Sequence, residues 1–89
     1  MRKRDELADP TSCLNRARDD EFVFVLLDRD DAALDTVRDW IARRIKLGKN
    51  KPDDAQIIEA WHWIAMVEIK RKDALERRLS AGQKDVPDA

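Results

Sequence analysis

The chain has 89 residues, 42% of them charged, and its formal net charge at pH 7 is −1. A chain this short forms one small domain that is marginally stable on its own, and a net charge near zero argues against a dedicated nucleic-acid-binding protein. The single cysteine, Cys13, excludes an intrachain disulfide and favours a reducing cytoplasmic compartment.

The first residues are charged and lack an apolar run, so we expect neither a signal peptide nor a membrane span. We predict that residues 1–8 are flexible and that a short helix runs from Asp9 to about Arg18. Asp9 is a good N-cap residue, and Pro10 suits the first helical position. The predicted organisation is a flexible segment 1–8, a single helical domain 9–79 and a flexible tail 80–89.

An apolar segment, Glu21–Leu27, follows the short helix. Phe22, Val23, Phe24 and Val25 are of the types enriched in strands, yet the chain holds no second run of this kind. Because a lone strand leaves its backbone groups unpaired, the segment is either a short helix or pairs with a copy of itself. The sequence slightly favours the strand-like or extended form and leaves both open.

A first long helix is predicted from Asp31 to about Leu47, with Asp30 as its N-cap. Gly48 supplies the left-handed residue that ends it. The helix has clean amphipathic spacing. Its core stripe is Leu34, Val37, Ile41 and Ile45, with Trp40 beside it.

The last helix is predicted from Asp53 to about Leu79, and its first half is apolar on nearly every side. A helix of this kind is buried on every side, and so small a chain cannot cover it alone. We therefore expect a homo-oligomer. The expected interface residues are Phe22, Phe24, Ile58, Trp63 and Met66.

An antiparallel hairpin of the two long helices would bring Lys70–Lys72 near Asp28, Asp30 and Asp31, as an internal charge match. At its tip it would gather the one uncompensated basic cluster of the chain. We name this cluster the basic tip, which comprises Arg43, Arg44, Lys46, Lys49 and Lys51. Such a cluster is either a solvated face or an anion site, and the second becomes stronger when several tips converge.

Trp61, His62 and Trp63 form the only aromatic cluster in the sequence. They could stack on a flat ring such as a base, with His62 as a donor, or they could fill separate packing contacts. No second histidine accompanies His62 and no nucleophile is paired with a base, so we expect no metal, no cofactor and no enzymatic activity.

Three segments resemble a group of small tailed-phage and prophage accessory proteins: Ser12–Ala17, Asp20–Asp30, and Trp40 with Arg44. The shared pattern is Cys-Leu-Asn-x-Ala, then Asp-Glu-x-x-Phe-Val-Leu, then Arg-Asp. Phe22 and Asp31 replace prolines common in that pattern. The resemblance implies a phage-type protein acting in a bacterial cytoplasm, and it transfers no site residue.

The sequence thus predicts a mainly α protein: a helical hairpin with a short N-terminal helix and one strand-like or extended segment, completed by oligomerisation. The functional hypothesis is counter-defence, by sequestering an anionic nucleotide or blocking a host protein. In the nucleotide version, Arg43, Arg44, Lys49 and Lys51 bind phosphate and Trp61 or Trp63 stacks. The alternatives are a small nucleic-acid-binding regulator and a structural phage component.

Overall fold

The computed structural model describes residues 1–85 of the chain, and side-chain surroundings through residue 81. It contains four helices: α1 (Lys3–Ala8), α2 (Cys13–Arg16), α3 (Ala33–Lys46) and α4 (Ala55–Asp85). No residue of the described part lies in a strand. The prediction of a mainly α protein is confirmed.

Helices α3 and α4 pack against each other and hold the core. Ile41, Ile57 and Ile64 form its buried centre, and five partly buried side chains pack around them: Leu34, Val37, Ile45, Ala60 and Trp63. The four residues that sequence spacing assigned to the α3 stripe all belong to this cluster. Amphipathic periodicity therefore identified the packed face of α3.

Contacts between α3 and α4 run in opposite order along the two helices. Early in α3, Arg38 pairs with Glu68 of α4 at 2.9 Å. After the end of α3, Asn50 contacts Asp54 and Gln56, close to the start of α4. The expected charge match is also present, because Lys70 pairs with Asp28 at 2.8 Å.

The turn between α3 and α4 depends on Gly48, which has a φ of +72°. Its N–H donates to the carbonyl of Ile45 at 3.0 Å, which closes the last turn of α3. A Cβ atom at this position would meet no atom within 4 Å. The glycine is therefore needed for its backbone conformation and not for space.

The N-terminal segment differs from the prediction at both helices. Residues 3–8, expected to be flexible, form α1, and the next helix covers only Cys13–Arg16. Ser12 is the N-cap residue of α2, since its side chain accepts from the N–H of Asn15. Asp9 instead accepts from the N–H and hydroxyl of Thr11, both at 2.8 Å, so it shapes the turn before α2.

The apolar segment has no regular structure: residues 22–27 adopt neither a helix nor a strand, so the helical alternative is wrong. We call residues Phe22–Leu27 the arm. The arm connects two parts of the chain, because α1 packs with α2 and α3 packs with α4. The backbones of these two pairs of helices do not contact each other.

Helix α4 is longer than predicted at its C-terminal end. It continues through Ser80 to Asp85, into the segment expected to be a flexible tail. The rest of that predicted tail, residues 86–89, lies outside the described residues. Helix α3, the first of the two long helices, spans Ala33–Lys46 and is therefore shorter than the predicted range 31–47. None of the described helices combines the length and the apolar character needed to cross a bilayer.

Candidate binding surfaces

The basic tip surrounds a turn that is held by a chain of side-chain hydrogen bonds. Arg44 donates from Nε to Oδ1 of Asn50 at 2.6 Å, and Nδ2 of Asn50 donates to Oδ2 of Asp54 at 3.1 Å. The same Asp54 oxygen accepts from the backbone N–H of Lys51 at 2.8 Å. These bonds fix the connection between α3 and α4.

Arg44 is also held by an aromatic ring. Its guanidinium carbon lies 5.6 Å from the centroid of the Trp40 ring, within the range of a cation–π contact. The side chain is half-buried. Arg44 therefore stabilises the turn, and its remaining N–H groups are presented from a fixed position.

The other four cations of the basic tip are exposed: Arg43, Lys46, Lys49 and Lys51. Among the residues with described side chains, none of these four forms an ion pair. The tip thus presents four exposed positive charges around an ordered turn.

Asp54 is an acid beside this positive cluster. Hydrogen bonds from the backbone N–H of Lys51 and then from the side chain of Asn50 lower the pKa of its carboxyl. Asp54 is therefore ionised at neutral pH, and it offsets part of the positive charge that an anion would meet.

The three aromatic-cluster residues do not share one surface. Trp63 packs against the core, whereas Trp61 and His62 are exposed on other faces of α4. Successive helical residues point about 100° apart, which explains the separation. Trp61 lies six residues after Ala55, the first residue of α4, which is a distance of about 9 Å along the helix axis. The structure thus does not unite Trp63 with Trp61 and His62.

The residues expected at an oligomer interface are mostly exposed. The exposed fraction is 105% for Phe22 and 85% for Phe24, and Ile58 and Met66 are about half exposed. Trp63 differs, since it is a partly buried member of the core cluster. Exposed apolar surface of this extent is typical of interaction sites, although it does not identify the partner.

An open groove of about 910 Å³ separates the α1–α2 part from the α3–α4 pair. We call it the groove. Its α3–α4 side contains an apolar surface of Val37, Trp40, Ala60 and Trp63, with the polar side chains of Thr36, Gln56 and Glu59 beside it. The α1–α2 side contributes mainly polar residues, and Phe24 and Leu26 of the arm lie along it. Sequence periodicity placed these apolar residues near the core and missed the groove, because the position of α1 and α2 is not encoded in helical spacing.

Two side chains of the segment Ser12–Ala17 have structural roles that the sequence did not reveal. The side-chain amide of Asn15 donates to the carbonyls of Glu6, Leu7 and Asp9 at 2.9–3.0 Å. The hydroxyl of Ser12, which is buried, donates to the carbonyl of Glu6 at 2.7 Å. The only available signal was the general preference of Ser and Asn for helix ends.

The described residues contain no group of three His, Cys, Asp or Glu side chains that could hold a metal ion. Cys13 is a free, exposed thiol. Comparison with known proteins finds no match to a family model, to a curated protein or to a solved structure.

Proposed function

We propose that the protein is a self-associating, non-enzymatic binding protein whose basic tip holds an anionic ligand. The observation that supports this most directly is the set of four exposed cations around a turn ordered by Arg44, Asn50 and Asp54. Preorganised cations lower the cost of binding an anion, because the turn is already fixed before the ligand arrives.

A single tip is a weak site. Exposed charges interact by only about 1 kcal/mol at 4 Å in water, and Asp54 opposes part of the positive field. Convergence of several tips in an oligomer would add the contributions of their cations and raise the local potential. The anion site and self-association therefore support each other.

Self-association is favoured by apolar surface that the described fold leaves exposed. Six large apolar side chains of α4 are about half exposed, in addition to the arm: Ile58, Trp61, Met66, Ile69, Leu75 and Leu79. The antiparallel hairpin of α3 and α4, completed by further copies, is the architecture we propose for the working form. A bacterial cytoplasm is its proposed location.

The phage-like pattern suggests what the ligand does. A small protein of phage type that binds an anion could act in counter-defence by sequestering a nucleotide signal of the host. Arg43, Arg44, Lys49 and Lys51 would contact phosphate. Trp61 could stack on a base if two copies bring it close to a tip.

Isothermal calorimetry against a panel of linear and cyclic nucleotides tests the proposal. We expect heat with at least one nucleotide, and at least 10-fold weaker binding after Arg43→Ala, Lys49→Ala and Lys51→Ala are combined. The matched control variant removes three exposed cations of α4 that lie outside the basic tip, by Lys72→Ala, Arg77→Ala and Arg78→Ala. The absence of heat with every nucleotide would remove the sequestration hypothesis.

A second candidate is a nucleic-acid-binding regulator that uses the same tip. Its specific support is the exposed cation cluster at the end of α3, and the net charge of −1 weighs against it. It predicts duplex binding that weakens steeply with salt. A gel shift at low salt separates the two, since sequestration of small nucleotides requires no retarded duplex.

A further inference from the structure

The arm has the properties of a segment that is missing its partner. Both phenylalanines are almost fully exposed, and Val23 and Val25 are more than half exposed. Within the described structure, residues 22–26 neither donate nor accept a backbone hydrogen bond outside regular elements, and they belong to no such element. Apolar side chains and free backbone groups on one extended segment are the features of peptide-like docking.

The groove offers the complementary surface. Its apolar side is formed by Val37, Trp40, Ala60 and Trp63, and polar side chains of Thr36, Gln56 and Glu59 lie beside them. The opposite wall contains two carboxylates, Glu6 and Asp9, and one guanidinium, Arg16. With Glu59, the groove has three carboxylates against one guanidinium, which disfavours an anionic ligand. Oε1 of Glu6 accepts from Leu14 and Oδ1 of Asp9 accepts from Thr11, so the second oxygen of each carboxylate is the acceptor for the N–H groups of a docked uncharged segment.

The arm's own position leaves this groove open. Phe24 and Leu26 lie along its edge, yet Phe24 remains 85% exposed and Phe22 does not line it. The C-terminal end of the arm is fixed beside α4, because Lys70 and Arg71 hold Asp28. The most exposed residues of the arm are therefore not covered by any surface of the same copy.

The available area suits a second copy of the chain. A phenylalanine side chain buries about 150–250 Å², so Phe22 and Phe24 together can remove about 300–500 Å² from water. That is roughly half of the ~800 Å² per partner in a standard interface. Because a symmetric pair contains two arms and two grooves, each copy can contribute its arm and its groove area at once.

We propose that the arm of one copy docks in the groove of a second copy, with Phe22 and Val23 against Trp40 and Trp63. When two copies exchange arms across a twofold axis, each groove is filled by the arm of the other copy, and each arm buries its exposed apolar side chains. This contact depends on the self-association proposed above and specifies which surfaces make it.

Complementation between two variants tests this exchange by native mass spectrometry and sedimentation. The arm variant combines Phe22→Ser and Val23→Ser, both at exposed positions outside the groove lining. The groove variant is Thr36→Trp, which fills the groove from an exposed position on α3 and leaves the core unchanged. Trp40→Glu is a second groove variant, and Leu47→Ser is a matched control that removes an exposed leucine outside the arm, the groove and the exposed face of α4.

We expect the wild type and Leu47→Ser to associate equally, and each arm or groove variant to associate at least 10-fold more weakly. An equimolar mixture of an arm variant and a groove variant should restore pairs of mixed mass, because one intact arm then meets one intact groove. Circular dichroism of each variant checks that its helices are retained.

Three results would overturn the exchange. Association of both variants at wild-type strength places the interface elsewhere, for instance on the exposed face of α4. Loss of association in the arm variant alone, with both groove variants unaffected, indicates that arms pair with arms. A monomeric wild type removes self-association itself, whereas calorimetry with nucleotides tests the anion site separately.

Discussion

At the scale of single residues, Arg71 joins the turn before α3 to the middle of α4. One guanidinium nitrogen, Nη2, donates to the carbonyls of Asp28 and Asp30, both at 2.8 Å. The neighbouring Lys70 pairs with the carboxylate of Asp28 at the same distance, although its side chain is 70% exposed. Arg71 is half-buried, and hydrogen bonds to a charged group in such a setting contribute more than an exposed ion pair.

This difference predicts unequal effects for two adjacent substitutions. Arg71→Ala should lower the free energy of unfolding by about 1.5–3 kcal/mol, because it removes two hydrogen bonds from a charged donor and leaves the Asp28 carbonyl without one, while the Asp30 carbonyl keeps the N–H of Ala33. Lys70→Ala should lower it by about 0–1 kcal/mol. Urea unfolding followed by circular dichroism measures both values, and equal effects would contradict the assigned role of Arg71.

Asp54 gives a prediction about pH. Its pKa is lowered in the folded chain by the N–H of Lys51 and the amide of Asn50, from an ordinary value of 3.8. A carboxyl with a lowered folded pKa stabilises the fold above its unfolded pKa and loses that contribution as pH falls through the folded pKa. Asp54→Asn should therefore be less stable than the wild type at pH 6.

That stability difference should shrink toward zero as the pH falls below about 3.8 and the wild-type carboxyl becomes protonated. Thermal unfolding of the two proteins across the acid range measures it. Asp53→Asn removes one charge at the same helix end and serves as the control. A difference that stays constant into the acid range would show that charge on Asp54 is not the cause.

At the scale of elements, α1 and α2 form a unit held by two polar side chains. Asn15 caps three carbonyls at the end of α1, and Ser12 both caps α2 and donates to Glu6 of α1. Helices of six and four residues are too short to be stable alone, so these bonds determine whether the unit forms.

Asn15→Ala should therefore release α1 without unfolding the α3–α4 pair. We expect faster amide hydrogen exchange over residues 3–16 and little change over Ile41 and Ile57–Ile64, because the two pairs of helices share no backbone contact. Arg16→Ala is the matched control, because Arg16 is the residue after Asn15 in α2 and is exposed. Equal acceleration across the whole chain would show that the two parts unfold together.

At the scale of the whole molecule, α4 has one face against α3 and another without a partner. Ile57 is fully buried, whereas the next residue, Ile58, is 57% exposed. The helix has 31 residues and spans about 46 Å, while α3 has only 14. A single copy thus covers one side of α4 and leaves the other to water or to another chain.

These two isoleucines form a matched pair of substitutions. Ile57→Ala should lower the free energy of unfolding by about 2–5 kcal/mol, because it creates a cavity in the core. Ile58→Ala should change it by no more than about 0.5 kcal/mol when measured at low protein concentration. Chemical unfolding at two concentrations measures both. A large effect of Ile58→Ala only at the higher concentration would place this face in an interface between copies.

Most of the predictable parts of this fold depend on contacts that are close in sequence. The stripe of α3 and the end of that helix before Gly48 follow from periodicity and from the residue type that ends a helix. The charge match of Lys70 with Asp28 is the exception, and it was predicted because helix lengths set which residues meet across a hairpin. Those signals did not reveal α1, whose capping partner lies in another helix, or the continuation of α4 past Leu79 to Asp85. They also placed the start of α4 at Asp53, whereas the helix begins at Ala55 and its first turn holds no acid.

The candidate sites were also predicted in part from the sequence and in part only from the folded structure. The five cations of the basic tip were found from the sequence, because residues 43–51 remain close in any compact turn. That Arg44 is held between Trp40 and Asn50, while the other four cations stay exposed, required the packed structure. The groove also required it, since its two walls come from helices far apart along the chain.

The sequence by itself determined the helical class, the packed face of α3 and the place where the chain turns back, because helical periodicity and a left-handed glycine act within a few residues. Only the tertiary structure decided the conformation of the arm, the separation of Trp63 from Trp61 and His62, and the capping of α1 by Asn15. The physical reason is that an apolar segment or a polar side chain is compatible with several partners, and only the folded chain determines which partners lie within reach.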